Sequence, residues 1–257
     1  MKSSHAEVLI IGGGFAGLNA AKCLHSTGKN IVVIDRTNHH LFQPLLYQVA
    51  TAGLAATDIA YPIREIFKKN KNISVVMAEV KSIDRKVRAV VLDDGSSYTF
   101  DFLIVGVGVQ VNFPPDTAWK EKVLPLKTLD DAMKIRDRLL LSYEKAEMSE
   151  DPAEVEKLLT YVVIGGGSAG IEIAGAIAEI ANKTLLKNFR RIHSSRTRVC
   201  LLESHERIAG EFSDKLAQKA EEGLKKLGVT VMTGVRVTGI DDNGVAFKGG
   251  RIEASNV

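Results

Sequence analysis

Cysteine is nearly absent from this chain: there are two, Cys23 and Cys200, in 257 residues. No C-x-x-C pair occurs, which disfavours a redox-active disulfide of the glutathione-reductase kind as the working group. Cys23 falls in a helix pattern and Cys200 in a strand pattern, and both are expected to be buried, reduced packing residues. No cluster has metal-ligand spacing, and the adjacent His39 and His40 suit a loop better than a ligand pair, so no metal is expected. Charge of one sign is also missing. Lys and Arg number 34 against 31 Asp and Glu, a net of +3, with no basic stripe for nucleic acid and no acidic tail. The densest basic run, KNFRRIHSSRTR at 187–198, reads as a solvated loop between a helix and a strand, with contact to an anionic membrane surface as the second reading. Long apolar runs are missing too. The best candidate for a membrane span, residues 159–181, is interrupted by glycines and by Glu172. The first residues lead straight into a strand pattern, which predicts no signal peptide. These absences predict a soluble, cytoplasmic or peripheral protein, not an integral one. At 45% hydrophobic and 25% charged residues, the chain is long enough for one large domain or two modest ones.

What is present is a glycine pattern in a strand–turn–helix setting. Residues 6–35 read AEVLIIGGGFAGLNAAKCLHSTGKNIVVID. An apolar strand at 8–11 runs into Gly12, Gly14 and Gly17, spaced G-x-G-x-x-G. A helix at 16–27 and a second strand at 31–34 follow, ending at Asp35. Gly12 permits the tight turn, Gly14 lets the backbone approach a pyrophosphate, and Gly17 lets the helix pack on the sheet. The helix N-terminus offers free N–H groups and a positive dipole end to the phosphates. Asp35 sits where a carboxylate can accept two ribose hydroxyls. The unit therefore predicts dinucleotide binding.

The same pattern returns half a chain later. A strand at 161–164 leads into Gly165, Gly167 and Gly170, then a helix at 171–180 and a strand at 199–202 that ends at Glu203. Two such loops imply two dinucleotides, or one dinucleotide and one decayed site. An acid at each strand end would repel a 2′-phosphate. FAD at one loop and NADH at the other fit, and NADPH does not, although Arg36 and Arg207 stand close enough in sequence to soften this. Between the units, residues 36–57 read as a long connection that is apolar for a loop. Its side chains either pack under the sheet or wall a flat or lipophilic ligand, with Pro44 fixing the backbone and Gln43, Tyr47 and Gln48 able to supply hydrogen bonds. The expected elements are a helix at 58–68, a strand at 74–78, a hairpin at 87–100 through the turn DDGS, and a strand at 102–105. Pro114 and Pro115 break the pattern, and an irregular stretch runs to about 127. A helix capped by Thr128 then runs to about 147, a solvated charged connection covers 144–156, and a helix covers 212–227 before three strand-like runs. The fold class is α/β, with two Rossmann-like dinucleotide-binding domains expected: 1–127 for FAD, lacking its returning segment, and 128–257 for NADH, lacking its last strand.

The layout resembles the two-dinucleotide flavoprotein reductases. The segment NHHLFQPLLYQVATAGL at 38–54, followed by DIAYPIR at 58–64, closely resembles type II NADH:quinone oxidoreductases, the single-subunit respiratory NADH dehydrogenases. IGGGSAGIEIAGAIAE at 164–179 and KTLDDA at 127–132 resemble the same family, and the similarity runs over essentially the whole chain. The resemblance implies that Gly12, Gly14, Phe15, Ala16 and Gly17 hold the FAD pyrophosphate and Asp35, flanked by Arg36, its ribose. Val80 would meet the adenine, Pro44, Leu45, Tyr47 and Gln48 would lie near the flavin, and Gly108 would lie beside the FAD. Gly165, Gly167, Ser168, Ala169 and Gly170 would hold the NADH phosphates, with Glu203 on the ribose. Glu172, in the first turn of the second helix, matches a family position next to the nicotinamide. It reads equally well as an acid favoured by the helix dipole. The implied chemistry is hydride transfer from NADH to FAD and of two electrons on to a membrane quinone, with the membrane surface and a homodimer as further implied partnerships.

Two departures from the family pattern stand out. Where the family has an A-T-G-like segment, this chain has Gly106, Val107 and Gly108, and Val107 lacks the hydroxyl. The family also continues well beyond Val257, so the reading includes a truncated chain. The alternatives are an inactive nucleotide-binding paralogue, or a related FAD-dependent NADH reductase with another acceptor.

Overall fold

The computed structural model describes residues 3–113 and 118–257 of the chain. The break expected at Pro114 and Pro115 lies outside the described residues. In chain order the elements begin with β1 (Ser3–Ile11), α1 (Phe15–Leu24), β2 (Ile31–Asp35), β3 (His39–Leu41) and α2 (Leu46–Ala50). Then come α3 (Ala56–Ile59), β4 (Ala60–Pro62), α4 (Ile63–Ile66), β5 (Ile73–Met77), β6 (Val80–Asp84), β7 (Ala89–Leu92) and β8 (Ser97–Val105). The rest are α5 (Leu129–Met148), α6 (Pro152–Leu158), β9 (Thr160–Ile164), α7 (Ser168–Glu179), β10 (Arg198–Leu202), α8 (Asp214–Lys226), β11 (Val229–Met232), β12 (Val237–Asp241), β13 (Gly244–Phe247) and β14 (Gly250–Glu253). By compactness the chain forms two units, Met1–Phe42 with Thr57–Gln110, and Gln43–Ala56 with Val111–Val257. Residues 43–56 and 111–127 thus group with the second unit, whereas the sequence reading placed them with the first.

The first unit holds a six-stranded sheet in the order β5-β2-β1-β8-β7-β6. β1 pairs in parallel with β2 and β8, and β2 with β5, while β6, β7 and β8 pair antiparallel. Alternation along β1 divides the core. Val8 and Ile10 face one layer with Leu18, Ala21, Ile63 and Phe67, and Leu9 and Ile11 face the other with Val90, Leu92 and Phe100. A central strand covered on both faces must be apolar on both, which is why residues 8–11 read as an unbroken run. Cys23 departs from expectation: it is exposed. α1 buries Gly17, Leu18 and Ala21, and at 3.6 residues per turn a side chain two positions past Ala21 points to the opposite side.

The second unit holds the parallel sheet β11-β10-β9 and the antiparallel sheet β12-β13-β14. Cys200 is buried, as expected, among Val162, Leu202, Ile240, Val245 and Ile252. Residues near the chain's last position lie beside β9, where Tyr161 and Asn256 form a parallel bridge and the Val162 N–H donates to the Asn256 carbonyl at 2.8 Å. α5 carries a capping box, with Thr128 Oγ1 accepting from the Asp131 N–H and the Asp131 carboxylate accepting from the Thr128 N–H. Among the described residues no helix is long and apolar enough to cross a membrane.

Several expected elements are corrected. The connection at 36–57 contains β3 and α2. The helix expected at 58–68 is divided by β4, because Pro62 fixes extended backbone before α4 (φ −58°, ψ 125°). The charged connection at 144–156 is largely helical, with α5 running to Met148 and α6 starting on an Asp151 N-cap with Pro152 at its first turn.

Candidate functional site

Two glycine turns dominate the chemistry, and their backbones are built alike. In the first, the Gly12 N–H donates to the Ile34 carbonyl at 2.7 Å and Gly12 takes φ +101°. In the second, the Gly165 N–H donates to the Leu202 carbonyl at 2.8 Å and Gly165 takes φ +107°. Both angles lie in the region that side chains avoid. A methyl group on Gly17 would stand 1.8 Å from the Gly12 carbonyl oxygen, and one on Gly170 would stand 1.9 Å from that of Gly165. Each helix is therefore packed backbone to backbone against its own turn. The glycines between behave differently: a methyl on Gly14 or on Gly167 would meet nothing within 4 Å. These positions open to space, and each is the N-cap of its helix with no side chain capping it. Helix N-termini leave their first N–H groups without helical partners. Each turn thus presents donors and a positive dipole end over a side-chain-free approach, which suits a pyrophosphate.

The acid at each strand end braces the turn. Asp35 Oδ2 accepts from the Gly13 N–H at 2.6 Å, and Oδ1 accepts from the Thr37 N–H and hydroxyl, each at 2.7 Å. Glu203 Oε2 accepts from the Gly166 N–H at 2.6 Å. Its Oε1 accepts from the His205 N–H at 2.7 Å and the Ser204 hydroxyl at 3.2 Å, and lies 2.6 Å from His205 Nδ1. Burial pushes the Glu203 carboxyl up, but the hydrogen bonds from His205, Gly166 and Ser204 outweigh it and hold the group below its ordinary range. A carboxylate has about four acceptor positions. In both braces the outer oxygen is filled and the other keeps one free position, so each acid can take one further hydroxyl instead of two.

Four residues of this arrangement were not read from the sequence: Gly13 and Gly166, which donate to the acids, and Thr37 and His205, two positions past them. A methyl on Gly13 would clash with Ile63 Cδ1 at 2.4 Å, and one on Gly166 with Ile208 Cγ2 at 2.7 Å. The signal available was the middle glycine in each G-G-G and the matched D-x-T and E-x-H. His40 is expected in a loop. It sits in β3, its Nδ1 lies 3.0 Å from the Gly13 carbonyl oxygen, and its ring meets Phe15 edge-on at 5.0 Å. Phe15 also meets Phe42, at 5.6 Å, so an aromatic group flanks the first turn.

The first unit brings together Gly12, Gly14, Phe15, Ala16, Gly17 and Asp35. Gly106 donates its N–H to the Ile11 carbonyl at 2.7 Å, and its oxygen would stand 2.3 Å from a methyl on Gly12. Gly108 follows at φ +68° in open space. Val80 starts β6 half-buried against the core layer of Val90 and Leu92. Arg36 is exposed. Pro44, Leu45, Tyr47 and Gln48 belong to the second unit, where the turn Gln43–Leu45 leads into α2. Pro44 is exposed, Tyr47 and Gln48 are half-buried and bond to each other at 3.1 Å, and Leu46 and Val49 are buried. Leu46, Val49 and Ala50 pack at helical spacing, as the packing reading expects, and the remaining residues of 43–48 are half-buried or exposed. Arg207 does not soften the second turn. Its guanidinium donates to the Gly210 and Phe212 carbonyls at 3.0 Å each and pairs with Asp214 at 3.3 Å.

The second unit brings together Gly165, Gly167, Ser168, Ala169, Gly170 and Glu203. α7 starts at Ser168, so Glu172 lies in its second turn, where the dipole contributes little. Partial burial pushes its carboxyl up. A cavity of about 700 Å³ borders this turn, walled mostly by aliphatic side chains that include Val162, Ile164, Ile173, Ile177, Leu202 and Val237.

The profile of the pyridine nucleotide-disulphide oxidoreductases matches residues 6–257. The type II NADH:quinone oxidoreductase Ndh of Mycobacterium tuberculosis is 43% identical over 245 residues, covering 94% of this chain and 53% of that protein. An external alternative NAD(P)H-ubiquinone oxidoreductase of Arabidopsis thaliana, B2, is 29% identical over 96% of this chain and 45% of its own length. The chain therefore spans about half the length of the curated relatives it matches. The structure of NDH2 from Plasmodium falciparum in complex with NADH superposes with a TM-score of 0.90 at 21% identity, over 98% of this chain and 54% of that one. The sulfide:quinone oxidoreductase of Aquifex aeolicus superposes with a TM-score of 0.78 at 20% identity, over 98% of this chain and 57% of that one.

Proposed function

The chain belongs to the pyridine nucleotide-disulphide oxidoreductase family, and from that premise we propose that it binds FAD at the first glycine turn and NADH at the second, in a type II NADH:quinone oxidoreductase. The single observation that carries this reading is the duplicated turn, open at Gly14 and at Gly167 and braced by an acid in both copies. The 43% identity to an enzyme named for that reaction supports the choice of donor and acceptor.

The residues present suit both nucleotides. The N–H groups that open α1, with Phe15, Ala16 and Gly17, would hold the FAD pyrophosphate, and Asp35 Oδ2 would take one ribose hydroxyl. Val80 would border the adenine, and Gly108 would lie alongside. In the second unit Ser168, Ala169 and Gly170 would do the same for the NADH phosphates and Glu203 for its ribose. Glu172, with its raised carboxyl on the second turn of α7, would border the nicotinamide. The chemistry that FAD would supply when bound is acceptance of a hydride from NADH and delivery of two electrons to a quinone; the protein's part would be binding, orientation and exclusion of water. A membrane quinone as acceptor would bring the protein to a membrane surface.

The test is spectroscopic. The purified chain, supplied with FAD under anaerobic conditions, is expected to turn yellow, to bleach on addition of NADH and to recover its colour with a soluble quinone. A yellow protein that NADH does not bleach would leave nucleotide binding without the proposed turnover.

A further inference from the structure

Each glycine turn fixes two successive peptide groups, and the second of them is held differently in the two copies. The acid takes the N–H of the middle glycine, Gly13 on Asp35 and Gly166 on Glu203, each at 2.6 Å. The carbonyl of that glycine belongs to the next peptide, which leads into Gly14 or Gly167. In the second turn a backbone group holds it: the Ala209 N–H donates to the Gly166 carbonyl at 2.7 Å. In the first turn the partner is a side chain, His40, whose Nδ1 lies 3.0 Å from the Gly13 carbonyl oxygen. A carbonyl can only accept, so Nδ1 carries the proton. Gly13 and Gly166 are buried, whereas Gly14 and Gly167 are exposed.

We propose that His40 is a positioning residue for the first turn, holding the Gly13–Gly14 peptide so that Gly14 and the N–H groups of α1 behind it are presented to the FAD pyrophosphate. The inference rests on the first turn being the FAD site. This peptide has glycine on both sides, so no side chain restricts its rotation. A trans peptide points its C=O and its N–H in opposite directions. With the carbonyl turned in to His40, the Gly14 N–H is turned away from the buried side, at an exposed residue whose added methyl would meet nothing within 4 Å. Without the donor a buried carbonyl is left unpaired, and the peptide relieves that cost by rotating, which takes the Gly14 N–H out of place. The ribbon of β3 and β4 brings the ring to this point. His40 pairs with Tyr61 across it, and the Ile63 N–H donates to the Asn38 carbonyl at 3.0 Å. The same ribbon seats Ile63, whose Cδ1 would stand 2.4 Å from a methyl on Gly13. The His40 ring also meets Phe15, the first residue of α1, edge-on at 5.0 Å. The side chain thus brings two separable things to the turn, a donor and a ring.

The test separates the donor from the ring. Asn carries an amide donor the same number of bonds from the backbone as Nδ1, and Phe keeps a ring without a donor. FAD affinity is measured by flavin fluorescence on the whole native chain, His40→Asn, His40→Phe and His40→Ala, with the unfolding temperature of each and with ADP-ribose binding at the second turn as the reference. His40→Asn is expected to bind FAD within about threefold of the native chain, and His40→Phe and His40→Ala at least about tenfold more weakly, whichever variant unfolds first. ADP-ribose affinity is expected to stay unchanged in all four, since Ala209 holds that turn. An FAD affinity that follows the ring or the unfolding temperature, with His40→Phe as tight as the native chain or His40→Asn as weak as His40→Ala, overturns the proposal while leaving the FAD site in place. A loss shared equally by ADP-ribose overturns it as well. Failure of the native chain to bind FAD overturns the site and the proposal together.

Discussion

Gly14 and Gly17 lie three positions apart and carry opposite consequences. A side chain at Gly17 collides with the Gly12 carbonyl at 1.8 Å, whereas Gly14 has open space and extended backbone (φ −73°, ψ −166°). Gly17→Ala should therefore destabilise the first unit by about 3 kcal/mol or more. Gly14→Val should keep the unfolding temperature and lose FAD. Thermal unfolding beside a flavin titration separates the two, and retained flavin affinity in Gly14→Val would remove the pyrophosphate from this turn. Glu203 carries a pH prediction. Its folded carboxyl is held below the ordinary value of 4.5. Its contribution is therefore complete above that value and is lost as pH falls through the lower folded one. Glu203→Gln should unfold on the order of 3 °C earlier at neutral pH, and the gap should close as pH falls below 4.5; a constant gap across pH would contradict the brace. At this scale the sequence was legible where spacing carried the signal, at Gly12, Gly14, Gly17 and Asp35. It was silent at Thr37 and His205, because a short polar residue after an acid is common and only the fold brings its N–H onto the carboxylate.

At the scale of elements, local chemistry decides what could be foreseen. α5 was readable because Thr128 and Asp131 form a reciprocal cap. Thr128→Ala should cost about 1 kcal/mol, and Thr128→Ser should recover most of it; a denaturant midpoint unmoved by either change would make the box idle. α6 carried the same kind of signal, an Asp151 cap and Pro152 at the first turn, but its high charge masked it. β6 gave no pattern because Val80 alone of its five residues is better than exposed, so there is no alternation between core and solvent to detect. β4 was hidden inside an apparent helix, since Ile59 and Ile63 keep helical spacing while the backbone between them is extended. Short elements of three or four residues are set by their partners more than by their own composition.

At the scale of the whole molecule, the duplication of a strand–turn–helix unit was plain in the sequence, and the fold repeats it down to the brace. What could not be foreseen was that residues 43–56 group with the second unit, which depends on contacts distant in sequence. Everything proposed above requires that the chain hold two dinucleotides at two separate turns. The most direct measurement is the calorimetric stoichiometry of FAD and of ADP-ribose on the native chain, Gly14→Val and Gly167→Val. One of each per native chain is expected, with loss of FAD alone in Gly14→Val and loss of ADP-ribose alone in Gly167→Val. Competition between the two nucleotides for one site, or loss of both from either variant while it remains folded, would contradict it.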